Sequence, residues 1–343
     1  MPVKDAAAGL ERLRAEWRGD RFEFALIQRL AELHVTSGDY GSALGVLREA
    51  VAALPDSPHA AEAGARLGET FTDVVLAGQS ESLPLQAALS LYREFENLIP
   101  AGPGGERAIA RLADRLVEAG QFDAAATLLA DQVANRLHGE QQVRIGARLA
   151  WIRLVERKPV LALTALNASL PEAGFASLPE QLERDRRHLR ARALALLGRT
   201  AEAMALLNGD DSADALRLNA EILWSQKEWL GASRTLEKLA PTPAGGLALS
   251  AVDSEVLLNL AVAYRLSGQH DGLSRMGDDY GAAMAATARR DDFARLTGAP
   301  EDEETLSVAK ELADAARFEA FTSRFKDRPA SGAESELTDT GAQ

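Results

Sequence analysis

The side chains of this chain whose types could do chemistry are five histidines, a few adjacent acid pairs and one glycine-rich turn. The histidines, His34, His59, His138, His188 and His270, never stand four residues apart, the spacing at which a helix turns two imidazoles toward one metal. Asp210-Asp211, Asp278-Asp279 and Asp291-Asp292 set carboxylates side by side, as general acid and base pairs do. Acids in such places equally start helices or cover solvated faces. The stretch AGPGGER (Ala101 to Arg107) follows a helical stretch and lacks the Gly-Lys-Ser/Thr ending of a phosphate loop, so it reads as a linker. There is no Gly-x-Ser-x-Gly elbow. The sequon Asn167-Ala168-Ser169 falls within a predicted helix and is incidental. With no cysteine there is no disulfide, thiolate zinc site, iron–sulfur cluster or cysteine nucleophile. The expectation is a protein that is not an enzyme, with no catalytic residues, no cofactor and no metal site.

What remains is binding, and binding depends on the elements that carry the side chains. Of 343 residues, 46% are hydrophobic and 26% charged, the balance of a folded chain. Aromatics are only 5%, while alanine, leucine and arginine abound and favour helices. Apolar residues recur at three- and four-residue spacings, with no run of alternating β-branched residues. Glycine and proline cluster between the helical stretches: Ser37-Gly38, Leu54 to Pro58, Pro100 to Gly105, Pro171 to Gly174 and Pro241 to Gly246. A net charge of -13 opposes non-specific binding to phosphate backbones. No nucleic acid is expected as a partner. No stretch of about 18 apolar residues runs without charge, so no membrane insertion is expected. Charges from Lys4 onward leave no signal-peptide core, and the expected location is cytoplasmic. A periplasmic or membrane-tethered location follows if the chain is a fragment of a longer protein.

The helical stretches repeat. Ile27, Leu30, Ala31 and His34 line a first helix, Gly38 and Tyr40 make a turn, and Ala43, Leu47 and Ala50 line a second helix stopped by Pro55. Ile109, Leu112, Ala113 and Leu116 precede Gly120 and Phe122, then Ala125 and Leu129. Leu216, Ala220 and Leu223 precede Trp229, then Ala232 and Leu236, and Leu257, Leu260, Ala261 and Tyr264 precede Gly268. Weaker copies run through Leu149 to Leu166 and Ala191 to Leu207, and a stretched one through Leu67 to Pro100 with extra residues around Gly78 to Leu85. The opening unit, Phe24 to Ser57, resembles the tetratricopeptide repeat, with His34 in place of the usual tyrosine. The resemblance implies an all-α, right-handed α-solenoid of stacked antiparallel helical hairpins. It divides the chain into a leading or capping helix over 1–20, about seven degenerate hairpins over 21–280, capping helices over 281–326 and a disordered tail over 327–343.

The resemblance also indicates which positions face the groove, since such arrays bind peptides with the first helix of each pair. In the middle units these are Arg107, Arg111, Arg144, Arg148, Trp151, His188, Arg192, Arg217 and Trp224. Guanidinium forks interleaved with indoles suit an acidic partner segment with apolar anchors. The same residues also fit ion pairs between adjacent helices and a tryptophan-filled core, and Glu69, Asp114 and Glu221 share the surface. Gln28 and Glu32 stand where some family members place a lysine-asparagine clamp for a terminal carboxylate. Phe318, Phe321 and Phe325, at i, i+3 and i+7, form one helix face that either seals the last repeat or docks another protein. The implied function is a scaffold holding a partner peptide or helix. The alternatives are a recognition domain of a larger assembly or enzyme, and a helical-repeat reader of single-stranded nucleic acid.

Overall fold

The computed structural model describes residues 3–16, 21–53, 58–76, 83–99, 102–170, 178–242, 248–298 and 303–316, and among them there is no strand. The helices are α1 (Val3–Glu16), α2 (Arg21–Thr36), α3 (Tyr40–Ala53), α4 (Pro58–Phe71), α5 (Leu85–Glu94), α6 (Pro103–Glu118) and α7 (Phe122–Asn135). They continue as α8 (Gly139–Val155), α9 (Pro159–Ala168), α10 (Glu180–Leu196), α11 (Thr200–Leu207), α12 (Ala213–Ser225) and α13 (Trp229–Glu237). The last are α14 (Ala251–Leu266), α15 (His270–Met284), α16 (Arg290–Gly298) and α17 (Glu303–Ala315). Neighbours in sequence are for the most part neighbours in space, the packing of a tetratricopeptide-like helical solenoid. Two compact units divide the chain, one ending at Leu137 and one beginning at His138.

One corner geometry recurs six times among the described residues. A first helix ends on a residue in the left-handed region, and the second helix starts two residues later. The left-handed residues are Gly38, Gly120, Arg157, Gly198, Lys227 and Gly268. In each corner the left-handed residue donates its N–H to the carbonyl three residues back. The following residue donates to the carbonyl five back: Asp39 to His34, Gln121 to Leu116, Lys158 to Arg153, Arg199 to Leu194, Glu228 to Leu223 and Gln269 to Tyr264, all at 2.8–2.9 Å. This is the Schellman closure, which satisfies the carbonyls a helix end leaves without partners. Because the next helix begins at once, the closure fixes the angle between the two helices of a hairpin. Tyr40, Phe122 and Trp229 open their second helices half-buried. Single glycines mark four of these corners, of which only Gly38 falls in one of the glycine and proline clusters of the sequence; Arg157 and Lys227 make the other two with φ of 57° and 59°.

In the first unit α1 packs on α2, α2 on α3 and α3 on α4. The stretched copy has a structural cause: α4 runs on into a π-helical turn, Thr72–Leu76, which packs on α6. Phe95, after α5, is buried with the Arg48 guanidinium of α3 4.8 Å above its ring, and Arg48 pairs with Glu94 at 2.7 Å.

In the second unit the hairpins are α8–α9, α10–α11, α12–α13 and α14–α15, and α10 touches α8, α9 and α12. Two of the first helices are enclosed over long runs: Ile145–Ile152 of α8 and Leu257–Arg265 of α14 are buried at every position. A helix without a solvated stripe reads as uniformly apolar instead of amphipathic. Gly146 sets the contact between α8 and the end of α9. A Cβ there would lie 2.1 Å from the Ser169 Cβ, so only glycine allows the approach. Beside it Arg186, buried, donates to Val143 O at 3.0 Å, Ser169 Oγ at 2.9 Å and Leu166 O. The guanidinium lies at the C-terminus of α9, the negative end of its dipole and the favourable place for a cation. Burial, with Arg190 nearby, lowers its pKa to about 10.

Candidate functional site

The residues expected to face a partner lie on first helices. In the first unit Arg107 is exposed and Arg111 half-buried, one turn apart on α6. In the second unit Arg144 of α8 is exposed and paired within its own helix to Glu140. Arg148 and Trp151 are buried, the guanidinium 4.4 Å above the indole ring. On α10, His188 is buried with Nε2 2.9 Å from Asp210 Oδ2, and Arg192 forms an ion pair with Glu221 of α12. Burial pushes the Glu221 carboxyl up, and Arg192 offsets only part of that. Arg217 lies 3.6 Å from Asp214, one turn earlier on α12. Trp224 is buried, donates Nε1–H to Ala313 O of α17 at 3.0 Å, and meets Trp229 edge-on at 5.2 Å. Phe318, Phe321 and Phe325 lie outside the described residues.

Asp210 is a hub that sequence reasoning passed over as a helix start. Its carboxylate takes the His188 contact, an Arg187 hydrogen bond at 3.2 Å and the Ser212 N–H at 3.0 Å. Burial alone would raise its pKa, but the hydrogen bonds from Ser212 and His188 win and hold it well below the usual carboxylate range. The available signal was the neighbouring Ser212, whose hydroxyl caps α12.

Chemically, the arrangement divides by the cost of freeing each cation. An exposed pair within one helix, such as Arg144 with Glu140, contributes about 0–1 kcal/mol, so an incoming carboxylate can replace its partner at little cost. Half-buried Arg192 and Glu221 would leave a desolvated charge behind on separation. Arg107 and Arg144 are therefore the most available anion contacts, and Arg148, His188 and Arg192 are committed to the framework in this state. Among the described residues no group of three or more histidines and acids could hold a metal, and no helix is long and apolar enough to cross a membrane.

No curated protein matches this chain. The tetratricopeptide repeat family model matches residues 24–67, which take in most of α2, all of α3 and the greater part of α4. The repeat resemblance carried by Phe24 to Ser57 thus stands on a family match as well as on its residues, and its corner at Gly38 is the one that recurs down the chain. Residues 24–67 are similar to the tetratricopeptide repeat, and they stand near the head of a series of helical hairpins closed in the same way.

Proposed function

We propose that the protein is a non-enzymatic scaffold that holds a partner peptide or helix along its first-helix faces, and that the partner segment is acidic. The observation that carries this reading is the side-by-side placement of α8, α10 and α12 by corners of one geometry. Repetition of that kind builds an extended surface, over which weak contacts from several hairpins add. In a chain of net charge -13, arginines gather on these helices. In the second unit Arg144 makes the first contact, while Arg148, His188, Arg192 and Arg217 hold the face and Trp151 and Trp224 give it apolar depth; in the first unit Arg107 and Arg111 of α6 offer contacts of the same kind.

The test is affinity capture followed by a binding titration with the captured partner. Charge reversal at Arg107, Arg111 and Arg144 together is expected to weaken binding at least tenfold, corresponding to about 1.4 kcal/mol or more. Reversal of Arg234 on the second helix α13 is the control and leaves binding unchanged. Equal binding by the triple variant and the control overturns the acidic-segment reading. Binding to single-stranded nucleic acid with a steep salt dependence would replace it with a nucleic-acid reader.

A further inference from the structure

α17 lies where a partner helix would lie. After the last corner, α16 packs on α15 and α14, as the next first helix of the series would. α17 does not complete a hairpin with α16; its principal contact is α14, itself a first helix. Its end reaches α12, where Trp224 Nε1 donates to Ala313 O at 3.0 Å. Ala313 is in the last turn of α17, whose carbonyls have no acceptor role left within the helix. An indole from a first helix thus caps the C-terminus of a helix 89 residues away. Thr305, Ala309 and Ala313, four apart on one stripe, are buried, and Leu312 and Ala316 join the cluster of Trp224, Leu257, Leu260 and Tyr264. Ser307, Lys310, Glu311 and Asp314 face solvent. The buried stripe is small, so α17 is held by little apolar area, whereas α14 is buried at nine consecutive positions.

We propose that α17 is a resident, displaceable ligand of the α12–α14 face. The partner this face takes is an amphipathic helix of the same chemistry: small residues at i, i+4 and i+8 against α14, and a C-terminal carbonyl on the Trp224 indole. The proposal rests on the reading that first-helix faces bind the partner, and it adds that this part of the face is closed until α17 leaves.

The test uses the full chain and a fluorescent peptide of residues 303–316, blocked at both ends. Hydrogen exchange on the unaltered protein is expected to show α17 amides exchanging at least tenfold faster than those of α14. Ala309→Glu with Ala313→Glu, which alters α17 and leaves the face intact, is expected to bind the peptide at least tenfold more tightly than the unaltered protein. Adding Trp224→Phe to that variant removes the indole donor and is expected to reduce the gain at least threefold. Exchange of α17 in step with α14 overturns the proposal, because α17 is then part of the core. So does equal peptide binding by the two proteins, or loss of the α12–α14 helices in the double variant. None of these outcomes bears on the arginine-reversal titration, which alone decides the acidic-segment reading.

Discussion

Replacing Lys227 or Arg157 by glycine should stabilise the protein, although each exchange removes a side chain and adds chain freedom. Both residues sit in the left-handed region, at φ of 59° and 57°, and both are exposed, so no buried contact is lost. A residue with a Cβ is disfavoured there by roughly 1–2 kcal/mol. Glycine avoids that cost but loses more freedom on folding, worth about 0.5–1 kcal/mol. The difference predicts a gain of about 0.5–1 kcal/mol for each exchange. The two corners belong to different hairpins of the second unit and share no hydrogen-bond partner, so the double variant should gain about 1–2 kcal/mol. For a unit of this size a kilocalorie moves Tm by roughly 2–4 °C. Urea and thermal unfolding followed by far-UV circular dichroism would show both midpoints rising, with the denaturant slope unchanged. The reverse exchange, Gly198→Lys, should lower them by a similar amount. A fall or no change on introducing glycine would refute the reasoning, since it would mean that the side chains, and not the backbone closure, hold these corners.

Two further predictions concern the framework of the second unit. Gly146→Ala forces the new methyl against Ser169 and disturbs the hydrogen bonds of Arg186; overpacking of this kind costs about 1–3 kcal/mol, measurable as a lowered urea midpoint. Asp210→Asn should cost about 2 kcal/mol at neutral pH by weakening charge-assisted hydrogen bonds to His188, Arg187 and Ser212. The native carboxylate is held below its unfolded value, so its contribution is present above about pH 4 and is lost as the pH falls through the folded value. The difference between Asp210→Asn and the unaltered protein should therefore narrow as denaturation is measured at progressively lower pH.

The sequence by itself determined the helical class, the hairpin punctuation and the positions that fall on first helices. Those features depend on short-range rules: apolar residues at three- and four-residue spacing, and a glycine wherever the chain turns left-handed. Gly38, Gly120, Gly198 and Gly268 were legible for that reason. Arg157 and Lys227 were not, because the hydrogen bonds that close the corner come from the backbone and tolerate a side chain at modest cost. Tertiary structure alone decided how the first-helix residues are used. Trp151 and Arg148 look from the sequence like a groove face and are buried, because α8 is enclosed along eight consecutive residues. His188 meets Asp210 from 22 residues away, and Arg192 meets Glu221 from 29 residues away. Capping helices over 281–326 were legible, but the site of α17 against α14 and Trp224 was not. Periodicity states that a helix has a face to bury; which of several similar faces covers it depends on shape and close approach between residues distant in sequence.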